Sequence, residues 1–251
     1  MKRAALIGIA AVAAIGLGAF AFIWFSGGSG QPTTQLTTPP LAADTTTAAE
    51  VPAPTTDDAV PTTTATTSES GSPRIFVLDE GSQARFELDE ELRGSPKHVV
   101  GTTPEVVGQV RFDPTDPAGA EFSDIVINAR TFQTDSSNRD RAIRSAVVLD
   151  SGSDEFELIT FHPTSVDDLV GPLGVGDTVT FTVTGELSIK GVAQPTTFDV
   201  EATWLDENTL EGTAEAVVDR TDFGIGIPSV ASVANVTEEV LIALDFVAVA
   251  D

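Results

Sequence analysis

From Thr178 to Ile189 apolar and polar side chains alternate almost without error. A period of two places Val179, Phe181 and Val183 on one face of a strand and Thr178, Thr180, Thr182 and Thr184 on the other, as a half-buried antiparallel strand requires. The cadence returns from Thr197 to Trp204, where Phe198, Val200, Ala202 and Trp204 share a face. Between the two runs, Lys190 to Pro195 carries a Gly and a Pro, which suit a reversal better than a continuing ladder. The pattern predicts a β-meander.

Similar runs recur with turn signals between them. The candidate strands are Arg74 to Asp89, Val99 to Phe112, Glu121 to Arg130, Glu155 to Ser165, Asp177 to Ile189, Gln194 to Leu205, Thr209 to Asp219 and Glu238 to Ala248. Asp113 to Pro117 and Gly171 to Gly174 interrupt them as loops, because Pro cannot donate to a ladder. Ser136 to Arg144 breaks the alternation, with cap residues followed by helix formers, and predicts a short helix. Eight antiparallel strands either close into an up-and-down barrel or stack as a two-sheet sandwich. Val240 to Val249 is apolar on both faces, which favours the barrel, and an eight-stranded barrel is just wide enough to hold one small ligand.

Composition divides the chain into three parts. Residues 1–25 open with Lys2 and Arg3, followed by an uncharged apolar run from Ala4 to Phe25. Its roughly 22 residues, at about 1.5 Å each in a helix, match the hydrocarbon thickness of a bilayer. A cleaved signal peptide has a shorter apolar core, and Ala19-Phe20-Ala21 offers it a cleavage site. The length and the terminal Trp24 and Phe25 favour an uncleaved N-terminal transmembrane helix, which places everything after it outside the cytoplasm. Residues 26–73 are Thr, Pro, Ala, Gly and Ser with scattered acids, and predict a disordered linker that holds the body off the membrane. Residues 74–251, about 178 of them, suffice for one core.

A net charge of -25 argues against nucleic acid and against anionic lipid as partners, since both need a basic patch. With no Cys, the exported fold has neither a disulfide nor a lipidated thiol. The 14 Phe against no Tyr and two Trp leave the aromatic surface almost without polar handles.

By parity, Phe161, Phe181, Val183, Phe198, Val200, Trp204, Ile242, Leu244 and Phe246 face inward. They would line a lumen or simply pack a core; the alternation is the same for both. On the expected helix, Asp140 and Arg144 stand four apart, within pairing distance. With Arg139, and with Arg220 beyond the seventh strand, they either form a lid or mouth or anchor a connection. Phe223-Gly224 is placed to plug one end. His98 and His162 lack metal-ligand spacing, and neither a nucleophile elbow nor a phosphate loop is present, so an enzyme is not expected and no metal site is assigned.

Several strings together resemble the YceI-like family. Thr184-Gly185-Glu186-Leu187-Ser188-Ile189-Lys190-Gly191-Val192-Ala193-Gln194-Pro195-Thr196-Thr197-Phe198 is similar to its G-L-T-I-K/R-G-V-T-R-P-V-T-F signature, and Asp219 to Ile225 to its D-R-S-D-F-G-I. Arg139 to Ser145 resembles its R-D-x-H-L-R-S, and Phe161 to Thr164 its F-x-S-T strand. The resemblance implies an all-β, eight-stranded, lipocalin-like barrel exported by a bacterium, whose lumen binds an isoprenoid lipid such as a quinone tail. Two family histidines are missing: D-x-x-H-S reads Asp79-Glu80-Gly81-Ser82 here, and Ala142 stands in the second motif. The expectation is a membrane-anchored, extracytoplasmic lipid carrier with no cofactor of its own; the competing reading is an envelope scaffold whose barrel is filled by its own side chains.

Overall fold

The computed structural model describes residues 28, 30–41, 73–228, 230 and 232–251. In these residues thirteen strands form one curled antiparallel sheet, accompanied by a single α-helix. Arg74–Leu78 (β1) turns at Glu80-Gly81 and resumes as Gln83–Leu92 (β2), which pairs with Ser95–Thr103 (β3). Val106–Val107 (β4) and Gln109–Phe112 (β5) follow β3, and Glu121–Phe122 (β6) and Ile125–Asn128 (β7) return along them. After the helix, Ser137–Arg144 (α1), come Leu158–Asp167 (β8), Thr178–Ile189 (β9), Val192–Asp206 (β10) and Thr209–Asp219 (β11). Val233–Ala234 (β12) bridges to β2, and Glu239–Ala250 (β13) completes the sheet.

Curling follows from the pairings. Strand β13 lies along β11 on one side, while its other side is shared by β2, with Ile242 opposite Phe86, and β1, with Ala248 opposite Leu78. The far side of β1 pairs with β5, and β4 and β7 continue the sheet into β8. Each expected strand run contains strand, divided where the chain must bend, but Ala129-Arg130 at the end of the third run and Glu155-Phe156 at the start of the fourth lie in 3-10 turns. Val99 to Phe112 is cut at Pro104-Glu105 and again at Gly108, where an added Cβ would meet Ile125 Cδ1 at 2.4 Å.

The hairpin between β9 and β10 is tighter than the Lys190 to Pro195 reversal that the sequence suggests. Lys190 and Gly191, at φ of 53° and 74°, make the whole turn, since two left-handed residues match the twist of the flanking strands. Pro195 therefore sits inside β10, opposite Glu186. A two-residue loop makes Ile189–Val192 a hydrogen-bonded pair, so Glu186–Pro195 falls on a non-bonded one. As β11 pairs with β10 only from Asp199 onward, the missing N–H of Pro195 costs no ladder bond.

The apolar run 4–25 lies outside the described residues, and among the described residues no helix is long and apolar enough to cross a membrane. A disordered linker throughout 26–73 is not what the structure shows. Residues 30–41 run along the body, with Thr33 and Thr34 hydrogen-bonded to Glu157 and Pro39 accepting from Gln109. Composition missed this because the contacts use backbone and hydroxyl groups, not apolar surface. Residues 42–72 lie outside the described set.

Candidate functional site: an apolar cavity with a charged rim

The inward faces enclose a cavity of about 720 Å³. Its walls are apolar over most of their length, with Phe181 and Val183 from β9, Phe198 and Val200 from β10 and Ile242, Leu244 and Phe246 from β13. Two rings lie against the wall, not across the centre. The Phe86 ring occupies the place a Cβ on Gly101 would take, 2.2 Å from it, and the Phe246 ring does the same over Gly212 at 2.7 Å. A side chain at Gly101 would push the Phe86 ring into the free space, while one at Gly212 would also run into the Glu201 carbonyl oxygen at 2.0 Å.

The two ends of the interior differ. At one end Phe76, Phe112 and Ala248 pack into a separate cluster with Trp204 and Leu210 against it. Phe112 meets Phe76 and Trp204 edge to face, at 6.4 and 5.8 Å between centroids. At the other end α1 and the segment from Arg220 to Val236 surround the cavity, contributing Arg139, Arg141, Arg220, Asn138 and Ser136 to its lining. This end is a charged rim.

Arg139 is its best-defined member. It bonds Glu90 at 2.8 Å and also pairs with Asp135, which Lys97 holds at 2.7 Å. Burial disfavours the Arg139 charge, yet Glu90 and Asp135 outweigh that and raise its pKa. Glu90 itself is buried. It lines the cavity on the same strand face as Ala84, Phe86 and Leu88, so parity along β2 could have found it. Ile227, Pro228 and Val230, which also line this end, come from an irregular segment that no periodicity marks.

Most residues singled out from sequence are brought together. Phe161, Phe181, Val183, Phe198, Val200, Phe223, Ile242, Leu244 and Phe246 line the cavity, as do Arg139 and Arg220. Trp204 does not; it faces the same way as Phe198 and Val200 but lies deeper, in the packed end, because parity fixes the side of a strand and not the depth. Arg220 donates to the carbonyls of Thr237 and Ile225, which ties the rim segment down. Phe223 is buried in a 3-10 turn that ends at Gly224 in the left-handed region, φ 66°. Asp140 and Arg144 are not cavity-lining. Asp140 instead accepts from the backbone and hydroxyl of Thr134, at 2.8 and 2.7 Å, and burial lowers the Arg144 pKa. His98 is held between Asp89 and Glu87, and His162 by Asp124.

A family model described as the YceI-like domain matches residues 76–248. This chain belongs to the YceI-like family. A UPF0312 protein of Azotobacter vinelandii is 30% identical over 122 residues, 48% of this chain and 57% of that protein, so the chain spans little more than half the length of this curated relative. Among solved structures, Burkholderia cenocepacia BcnA superposes with a TM-score of 0.53 at 21% identity, covering 68% of this chain and 98% of that one. A polyisoprenoid binding domain from Saccharophagus degradans, implicated in plant cell wall breakdown, superposes with a TM-score of 0.54 at 14% identity, covering 72% and 100%. At these identities the two structures establish a shared fold.

The two missing family histidines acquire a structural setting. Ala142 lines the cavity, so an apolar methyl replaces the second imidazole. Counted from Asp79, the first position is Ser82, which is buried and donates its hydroxyl to Val247 O at 2.9 Å, so it serves the neighbouring strand and not the cavity. The polar character of the rim rests on arginines and carboxylates instead.

Proposed function

We propose that this protein is a closed, eight-stranded, lipocalin-like barrel that sequesters or carries the apolar chain of an isoprenoid lipid outside the cytoplasm, anchored through its N-terminal segment. Closure is supported by β1, which is engaged on both sides, and by β4 with β5 and β6 with β7, each serving as one bent strand. One observation carries the ligand: an interior of about 720 Å³ walled by Phe, Val, Leu and Ile. It falls within the roughly 300–1,000 Å³ of small-molecule sites. Such a wall offers water no partners and gains about 0.8 kcal/mol for each methylene it buries. The mechanism is transfer of surface out of water, with no bond made or broken. The charged rim supplies the polar end that a lipid headgroup needs, and the named binding activity of the Saccharophagus domain agrees with an isoprenoid cargo. A self-filled scaffold has no use for such a void.

Organic extraction of the purified protein, followed by mass spectrometry, is expected to release a lipid series spaced by prenyl units. Phe198→Asp should lower retention more than tenfold while the far-ultraviolet spectrum stays that of the parent. An empty extract, with no uptake of added quinone, overturns the reading.

A further inference from the structure

The stretch Gln31 to Pro39 is docked on a site built to receive it. Glu157 is fully buried, and its carboxylate takes four bonds from two consecutive threonines. Thr33 N and Thr34 N donate to Oε1 at 2.8 and 3.1 Å, and the two hydroxyls donate to Oε2 at 2.6 and 3.0 Å. The seat beneath is equally well defined. Asn128, with no exposed surface, donates to Glu157 Oε1 at 2.8 Å. Arg130, 4% exposed, donates to Thr33 Oγ1 at 2.9 Å and is fixed by Ser151 O and Asp154. Further along, Gln109 Nε2 donates to Pro39 O at 2.6 Å. A buried carboxylate needs such donors, and here a dipeptide of this chain supplies most of them.

Position gives the contact its meaning. Upstream of Thr33 the chain passes α1, where an added Cβ on Gly30 would lie 2.9 Å from Arg144 Cζ, and the Cβ of a side chain at Gly28 would be 3.4 Å from Gly152 Cα. That is the end of the body with the charged rim. From Phe25, the last residue of the apolar run, to Gly30 the chain can reach at most about 18 Å. A coil running to residue 73 would instead average roughly 35–40 Å and leave the body free to tumble.

We propose that residues 30–39 are a strap, seated by Thr33-Thr34 on Glu157, that holds the rim of the cavity toward the bilayer from which an apolar cargo enters. This rests on the membrane-anchored reading above. Thr33 and Thr34 are thereby committed, and a sugar or phosphate on either hydroxyl would displace the strap.

The native chain lacks cysteine, so single cysteines can be placed at Val230, on the rim, and at Val170, in the loop after β8. Each full-length protein, labelled with a polarity-sensitive maleimide dye, is reconstituted into phosphatidylcholine vesicles containing bromine-labelled lipid. The dye at Val230→Cys should be quenched at least threefold more than that at Val170→Cys. Adding Glu157→Gln should bring the two within a factor of about 1.5. Thr34→Pro, which removes both the N–H and the hydroxyl that Thr34 donates to Glu157 without touching the body, should act in the same direction and covers the case in which Glu157→Gln fails to fold. Equal quenching at both positions in the parent, or unchanged quenching in both variants, overturns the strap. Vesicle flotation separates the two ideas: a chain that does not float defeats the anchoring as well, whereas one that floats without preferential rim quenching defeats only the strap. Cargo uptake enters neither readout.

Discussion

Phe76 and Phe198 are both inward-facing aromatic residues on strands of one sheet, yet they end in different physical surroundings. Phe76 has no exposed surface and sits among Phe112, Ala248, Leu78 and Val110 in the packed end. Phe198, only partly buried, meets Phe161 edge to face at 4.8 Å and lines the broad apolar part of the cavity that Phe76 borders only from the packed end. The same alternation of side chains therefore builds a plug at one end and a container above it. What separates them is how many neighbours reach the axis. At the packed end Trp204 and Leu210 reach in beside the Phe76–Phe112 pair, while higher up Phe86 and Phe246 fold sideways over glycines.

The widest break in this comparison should come from truncating each ring. Phe76→Ala empties a fully buried site where the packed end meets the cavity and is expected to cost about 3–5 kcal/mol. Phe198→Ala merely enlarges an existing void and should cost less than half as much. Urea unfolding at unchanged m-value checks both, and equal losses would mean that the interior around Phe198 is as solid as the plug.

How much of this was legible beforehand depends on which physical property carried it. Strand runs, their order and the helix were visible because burial on one face imposes a period of two, and its interruption at Ser136 marks α1. The same parity marked the inward set, and family motifs added the curled, lipocalin-like sheet. Depth along a strand leaves no periodic trace, which is why Trp204 was grouped with Phe198. The strap left even less. Gln31 to Pro39 has the composition of a solvated linker, and Glu157 looks like any acidic residue at a strand start; backbone N–H donors, which no side-chain pattern displays, bring them together. Glu90 lies between these cases, with its parity readable but its partner Arg139 apparent only once α1 is in place.

Acid should separate the two ends next, and more gently. Burial raises the Glu157 pKa, but bonds from Thr33, Thr34 and Asn128 outweigh it and hold the group at about 2. A carboxyl depressed on folding contributes stability that is full above its unfolded value, about 4.3, and lost as pH falls through the folded one. The strap should hence stay seated at neutral pH and loosen between about pH 4 and pH 2. The packed cluster, which contains no carboxylate, should not respond in that window. Amide resonances of Thr33 and Thr34 should move toward random-coil positions while that of Phe76 stays fixed; simultaneous movement of all three would mean that strap and plug form one cooperative unit.

The smallest effect is expected at Trp204, where the plug contains its own imperfection. Its indole Nε1 is buried without a hydrogen-bond partner, a defect that typically costs about 1–3 kcal/mol. Trp204→Phe removes that donor and retains a six-membered ring to meet Phe112, while giving up the burial of the rest of the indole. The two contributions oppose each other. The net change should lie within about 1 kcal/mol, against the 3–5 of an ordinary large aromatic deletion. A loss above about 2 kcal/mol would show that the indole N–H is satisfied after all, and that the plug is as well-bonded as it is well-packed.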